Sequence, residues 1–193
     1  MRLAAFAVAA AVALAACAGS RSLDDSFSDL GADAKLKQTL LVDREHDYGD
    51  IDITIFEGRL MLTGTMASEA GRRKLIENAW KAGGVDEVID EVFVGDDTGL
   101  AQGVSDGRID ASLRAKLIAD DGVRSRQVKI AASNGVVYLL GEARDQAELE
   151  RVIAHARKTP GVSKVVSHVV YEGVAPLAAT APATAGPVAD PAR

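Results

Sequence analysis

Apolar and polar residues alternate from residue 51. Ile51, Ile53 and Ile55 interleave with Asp52, Thr54 and Phe56, the period-2 signature of a half-buried strand. Glu57-Gly58 reads as a tight turn. Leu60, Leu62 and Gly64 then alternate with Met61 and Thr63, so the segment predicts a β-hairpin. Helical spacing flanks it. Leu36 and Leu40 lie four apart in a helix expected over 33–41, with Asp33 as N-cap. Ser68 caps a second helix reaching about residue 81, with Leu75, Ile76 and Ala79 inward, and Gly83-Gly84 stops it. A third strand follows over 85–94.

The pattern returns 77 positions later without a gap. Asn134-Gly135 stands where Glu57-Gly58 stood, between strands expected at 126–132 and 136–141. Asp33 maps to Asp110, Leu36 to Leu113, Leu40 to Leu117, Leu75 to Val152, Gly84 to Gly161 and Val92 to Val169. The first helix of this copy is expected over 110–119. Asp145 and Glu148 have capping-box spacing for the second, which carries Val152, Ile153 and Ala156 and ends at Pro160-Gly161. The last strand covers 162–171. Two copies of one module are therefore expected. Each runs helix-strand-strand-helix-strand, an α+β two-layer sandwich with an antiparallel hairpin and, if the second and third strands are neighbours, a third strand parallel to the second. The expected divisions are a leader at 1–16, a tether at 17–32, module one at 33–94, a linker at 95–109, module two at 110–172 and an Ala/Pro-rich tail at 173–193. A module of about 65 residues is near the lower limit for a self-sufficient core, which packing of two copies would ease.

The copies differ in informative ways. With Leu60, Leu62, Val137 and Leu139 placed under the helices, the other face of the second strand reads Arg59, Met61, Thr63 in module one. In module two it reads Val136, Tyr138, Leu140. A two-layer module leaves that face bare, so the apolar strip is a candidate contact with module one or with a partner. Trp80 is matched by Arg157, which argues against deep core. It is left to line the module junction, sit partly exposed or touch lipid.

Charge separates the copies most clearly. Residues 33–94 hold 13 acids and 8 bases, whereas 110–172 hold 8 acids and 10 bases. Arg114, Lys116, Arg124, Arg126 and Lys129 cluster around the first helix and strand of module two. Their counterparts are Lys37, Thr39, Asp47, Gly49 and Asp52, so the cluster is specific to that module. Such a cluster on a membrane-tethered protein points to anionic headgroups. The alternative is an ordinary solvated face, since Asp110, Asp120 and Asp121 interleave with the bases.

The N-terminus supplies the tether. Arg2 precedes an uncharged apolar run from 3 to 16, too short for an ordinary spanning helix. Leu14-Ala15-Ala16-Cys17 resembles a bacterial lipobox, in which the cysteine takes a diacylglycerol and becomes the first residue. Ala18 in place of aspartate leans towards sorting to the outer membrane. Loss of Arg2 leaves 21 Lys and Arg against 28 Asp and Glu, which argues against a nucleic-acid partner. No cofactor is expected. His46, His155 and His168 are scattered without metal-ligand spacing, and phosphate loops, nucleophile elbows and HExxH are missing, so an enzyme is not expected.

Module two resembles the BON domain through Asn134-Gly135-Val136-Val137-Tyr138-Leu139-Leu140-Gly141 and Pro160-Gly161-Val162-Ser163-Lys164-Val165. Module one is similar through Glu57-Gly58-Arg59-Leu60-Met61-Leu62-Thr63-Gly64 and Gly83-Gly84-Val85-Asp86-Glu87-Val88. With the lipobox, the chain resembles dual-BON lipoproteins of the Gram-negative outer membrane. That resemblance implies a periplasm-facing, non-enzymatic protein supporting envelope integrity. It also implies that the second domain binds anionic phospholipid through its first helix, here the one carrying Arg114 and Lys116. The other function in play is a protein-protein adaptor for outer-membrane assembly machinery, using the Val136-Tyr138-Leu140 strip or Trp80. Related soluble proteins of the periplasm answer osmotic stress.

Overall fold

The computed structural model describes residues 23–42, 46–95 and 99–173. Cys17, the leader and the Ala/Pro-rich tail lie outside the described residues. Module one consists of α1 (Leu23–Val42), β1 (Ile51–Phe56), β2 (Arg59–Met66), α2 (Glu69–Trp80) and β3 (Glu87–Val94). Module two repeats the order with α3 (Gly99–Ala119), β4 (Val128–Ser133), β5 (Val136–Ala143), α4 (Gln146–Arg157) and β6 (Lys164–Tyr171). A short 3-10 turn, Ser125–Gln127, precedes β4.

Each module is one three-stranded sheet. β2 lies centrally, antiparallel to β1 and parallel to β3, and β5 is placed likewise between β4 and β6. The registers superpose at the repeat offset: Ile53 faces Leu62 and Ile130 faces Leu139. Both hairpins turn through two residues of positive φ, Glu57-Gly58 at 51° and 74° and Asn134-Gly135 at 53° and 73°. That is the mirror-image turn whose twist suits paired strands.

The core faces are those the alternation predicts. Leu36, Leu60, Leu62, Leu75 and Ala79 form the core of module one, with Ile51, Ile53 and Ile55 packed against it. Leu113, Leu117, Val128, Ile130, Val137, Leu139 and Val152 form that of module two. The helices cap as expected. The Ser68 hydroxyl accepts from Gly71 N–H, and the Asp145 carboxylate accepts from Glu148 N–H.

Both first helices begin well before the expected positions. α1 starts at Leu23, inside the segment read as tether, and α3 starts at Gly99, inside the segment read as linker. For α3 the physical reason is tertiary. Asp106 is buried, and its carboxylate accepts from Asn134 N–H at 2.8 Å and Gly135 N–H at 2.9 Å, so the helix is fastened to the β4–β5 turn. Ile109, also placed in the linker by sequence, belongs to the core of module two. The capping box at Asp145 is half made: Glu148 turns away from Asp145 to accept from Arg144 N–H and Arg124 N–H.

The two sheets pack back to back. Phe56, Met61 and Ile89 of module one meet Ala131, Leu140 and Tyr138 of module two in a third apolar cluster. Polar bonds cross the same seam. Arg59 Nη1 donates to the His168 carbonyl at 2.7 Å while its Nε donates to Glu87 at 2.6 Å. His168 Nε2 lies 2.8 Å from Glu91 Oε1, and Asn134 Nδ2 donates to Thr65 Oγ1 at 3.1 Å. Glu91 and His168 are the same position of the two repeats, and their meeting is what an approximate two-fold relation produces near its axis. The order of layers is helices, sheet, sheet, helices.

Candidate functional site

Along α3, every fourth residue on one ridge changes chemistry: Asp110, Arg114, Ile118. Leu113 and Leu117 turn into the core and anchor this ridge at the surface. The 3-10 turn after α3 brings Arg126 to the exposed side, and β4 presents Lys129 on the sheet face away from its own helices. Arg114, Leu117, Ile118, Arg126 and Lys129 thereby line one groove of about 410 Å³. Ile118 is 67% exposed, an isolated large apolar side chain at its edge. Arg114 makes an exposed ion pair with Asp110 at 3.1 Å.

The five basic residues singled out by sequence do not act as one patch. Arg114, Arg126 and Lys129 are brought together. Lys116 points elsewhere, its Nζ 3.0 Å from Thr159 Oγ1 and 3.4 Å from the Lys158 carbonyl, where it fastens the end of α4. Arg124 bridges Glu148 at 3.4 Å and Glu172 at 2.9 Å. Burial pushes the Glu148 carboxyl up. The N–H groups of Arg144 and Arg124, with both guanidinium groups, more than offset this and leave it below the ordinary carboxylate value. The other named residues fall outside the groove. Leu140 is buried and Tyr138 half-buried against module one, and Val136 is half-buried at the start of β5. Trp80 is half-buried at the end of α2, which packs on α1, β2 and β3.

Two positions mattered that the sequence reading passed over. Asp106 holds the turn of module two, and its signal was available: Ser28-Asp29 recurs as Ser105-Asp106 at the same 77 offset. Glu148 carried no signal beyond capping, because its partner Arg124, 24 residues away, is set by tertiary packing. The histidines stay apart. His155 Nε2 lies 2.8 Å from Asp120, whose carboxyl it holds below the usual value with help from Gly122 N–H. His46 stacks at a tilt on Tyr48. Among the described residues no group of His, Cys, Asp and Glu is placed to hold a metal ion, and no helix is long and apolar enough to cross a membrane.

Two mirror-turn hairpins, each carried on a helix-strand-strand-helix-strand unit, define the class. Residues 28–96 and 105–173 both match the BON domain, so this chain belongs to the BON domain family, with two domains in tandem. Three curated relatives align with it. An uncharacterised protein from the gshII 5′ region of Anaplasma centrale is 37% identical over 63% of this chain and 82% of its own length. Osmotically-inducible protein Y of Escherichia coli is 32% identical over 72% of this chain and 70% of its own. The outer membrane lipoprotein DolP of Haemophilus influenzae is 26% identical over 86% of this chain and 83% of its own.

Proposed function

We propose that this protein serves the integrity of the bacterial envelope as a periplasm-facing, non-enzymatic membrane binder. In this reading Cys17 carries the acyl anchor in the outer membrane, and module two contacts anionic phospholipid. The relative named as an outer membrane lipoprotein supports the compartment. The observation that carries the lipid reading is the groove. Three cations surround an exposed isoleucine, a combination that suits a phosphate-bearing surface with an apolar layer beneath it. Module one has Lys37, Leu41, Gly49 and Asp52 at the matching positions, so the charge argues for module two alone. The adaptor reading loses its main surface, because Tyr138 and Leu140 lie against module one.

The test is co-sedimentation of the unacylated Cys17→Ser chain with phosphatidylglycerol vesicles. Replacing Arg114, Arg126 and Lys129 with glutamate should abolish binding, whereas Lys116→Gln should leave most of it. Binding by the unmutated chain should weaken as salt rises through the physiological range. Undiminished binding by the triple variant would sink the lipid reading. Separately, Cys17→Ser should release the protein from the membrane fraction of cells, and retention there would show that the anchor lies elsewhere.

A further inference from the structure

The β4–β5 turn combines a reactive sequence with an unusual restraint. Asn134 precedes Gly135, and glycine has no β-carbon to shield its nitrogen from the carboxamide before it. That nitrogen is held. Gly135 N–H donates to Asp106 Oδ1 at 2.9 Å in a buried bond, and the other oxygen of the same carboxylate accepts Asn134 N–H at 2.8 Å. The Gly135 carbonyl accepts from Ser163 N–H at 2.8 Å and from the Ser163 hydroxyl at 3.0 Å. The carboxamide is tied as well, since Asn134 Nδ2 donates to Thr65 Oγ1 of module one at 3.1 Å. The turn of module one has the same positive φ values, but Glu57 stands there and carries no carboxamide.

We propose that Asn134 is a site of spontaneous covalent modification, deamidation through a succinimide, and that the Asp106 clasp holds this reaction off in the folded protein. In the reaction Gly135 N gives its proton to a solvent base and bonds to Asn134 Cγ. The Cγ–Nδ2 bond breaks, and Nδ2 leaves with a proton from water as ammonia. Water then opens the imide at either carbonyl, which gives aspartate or isoaspartate at 134; nothing is oxidised or reduced. Asp106 opposes the first step in two ways. A carboxylate that accepts the N–H favours its protonated form, and its negative charge disfavours the anion that must form beside it. The clasp also fixes the nitrogen while Thr65 fixes the carboxamide, so the reacting atoms are not free to approach. The products undo the turn. Aspartate at 134 lacks the donor that meets Thr65. Isoaspartate routes the backbone through the side-chain carbon, which a two-residue turn between Ser133 and Val136 does not accommodate. Lifting of α3 from the turn therefore starts the reaction, and the reaction makes the release of α3 and of module one permanent.

The experiment follows Asn134 in the unacylated Cys17→Ser chain by peptide mapping and mass spectrometry, during incubation in mildly alkaline buffer. In the folded chain conversion to aspartate and isoaspartate should be at least about tenfold slower than in concentrated urea, the scale of one charge-assisted hydrogen bond. Equal rates overturn the proposal. Asp106→Ala should raise the rate under folding conditions by about tenfold and leave the rate in urea unchanged; an unchanged folded rate assigns the protection to the turn itself and overturns the role of Asp106. A second measurement needs no variant at 106. As urea is raised on the Cys17→Ser chain, modification should quicken in step with hydrogen exchange of Gly135 N–H and before the global unfolding transition. Modification that quickens only with global unfolding overturns the clasp as the guard.

Discussion

Gly64 and Gly141 lie inside the second strand of each hairpin, two residues before its end, at φ values of 121° and 138°, where a side chain is strained. A β-carbon there would overlap the carbonyl oxygen of Asp50 or of Gln127, themselves equivalent positions. Gly141→Ala should therefore destabilise module two by about 2–4 kcal/mol, combining backbone strain with a displaced strand. Thermal unfolding followed by circular dichroism measures it, and an unchanged midpoint would refute the close approach. Glu148 is the second residue whose chemistry is testable. Its side chain is 2% exposed and receives two backbone N–H groups and two guanidinium groups. Since its folded pKa is lowered, its contribution is complete above the unfolded carboxylate value, about 4.3, and is lost as pH falls through the folded value. Glu148→Gln should lower the urea midpoint at pH 7, and the gap to the unmutated chain should narrow towards pH 3. The glycines were legible because the same strand position is glycine twice, 77 apart, which marks a backbone requirement, although both strands run on past it to Met66 and Ala143. The role of Glu148 was not, because Arg124 lies 24 residues away and meets Arg144 at this carboxylate only in the folded module.

At the scale of elements, periodicity located every strand and both second helices to within a few residues. Ser68 and Asp145 act as N-caps, and Ser68→Ala or Asp145→Ala should each cost about 1 kcal/mol in chemical denaturation. The first helices were underestimated, for a reason visible at Asp106. Its polar neighbourhood, with Gly103 and Gly107, reads as linker until the helix is seen to lean on the β4–β5 turn. Asp106→Ala should cost about 2–3 kcal/mol, since one buried and one half-buried N–H group lose a charged acceptor. Amide exchange at Asn134 and Gly135 should quicken in that variant; unchanged protection there would refute the clasp. The same misjudgement hid the ridge of α3. Arg114 and Lys116 look equivalent in sequence, yet two positions along a helix is slightly more than a half-turn, so one faces the groove and the other the end of α4.

The whole molecule is built on a bare sheet face that each module cannot cover by itself. Met61 and Phe56 meet Tyr138 and Leu140 there, and Arg59 reaches across to the His168 backbone. Met61→Asp would place an unpaired carboxylate in this seam. Calorimetry should then show two separate unfolding transitions in place of one; a single transition with a modest shift would argue that the seam does not couple the modules. Phe93, 62% exposed on the edge strand β3, is one of the large apolar residues that this packing leaves outside. Alternation, turns and a strict 77-residue offset were enough to specify two α+β modules and the element order and core face of each, because local periodicity and backbone sterics act within a few residues. The same pattern showed that one sheet face was left over. It could not say that the two leftover faces cover each other, nor that Arg114, Arg126 and Lys129 part company with Lys116 and Arg124. Those are matters of which side chains, far apart along the chain, end up within a few ångströms, and packing of the two sheets settles them.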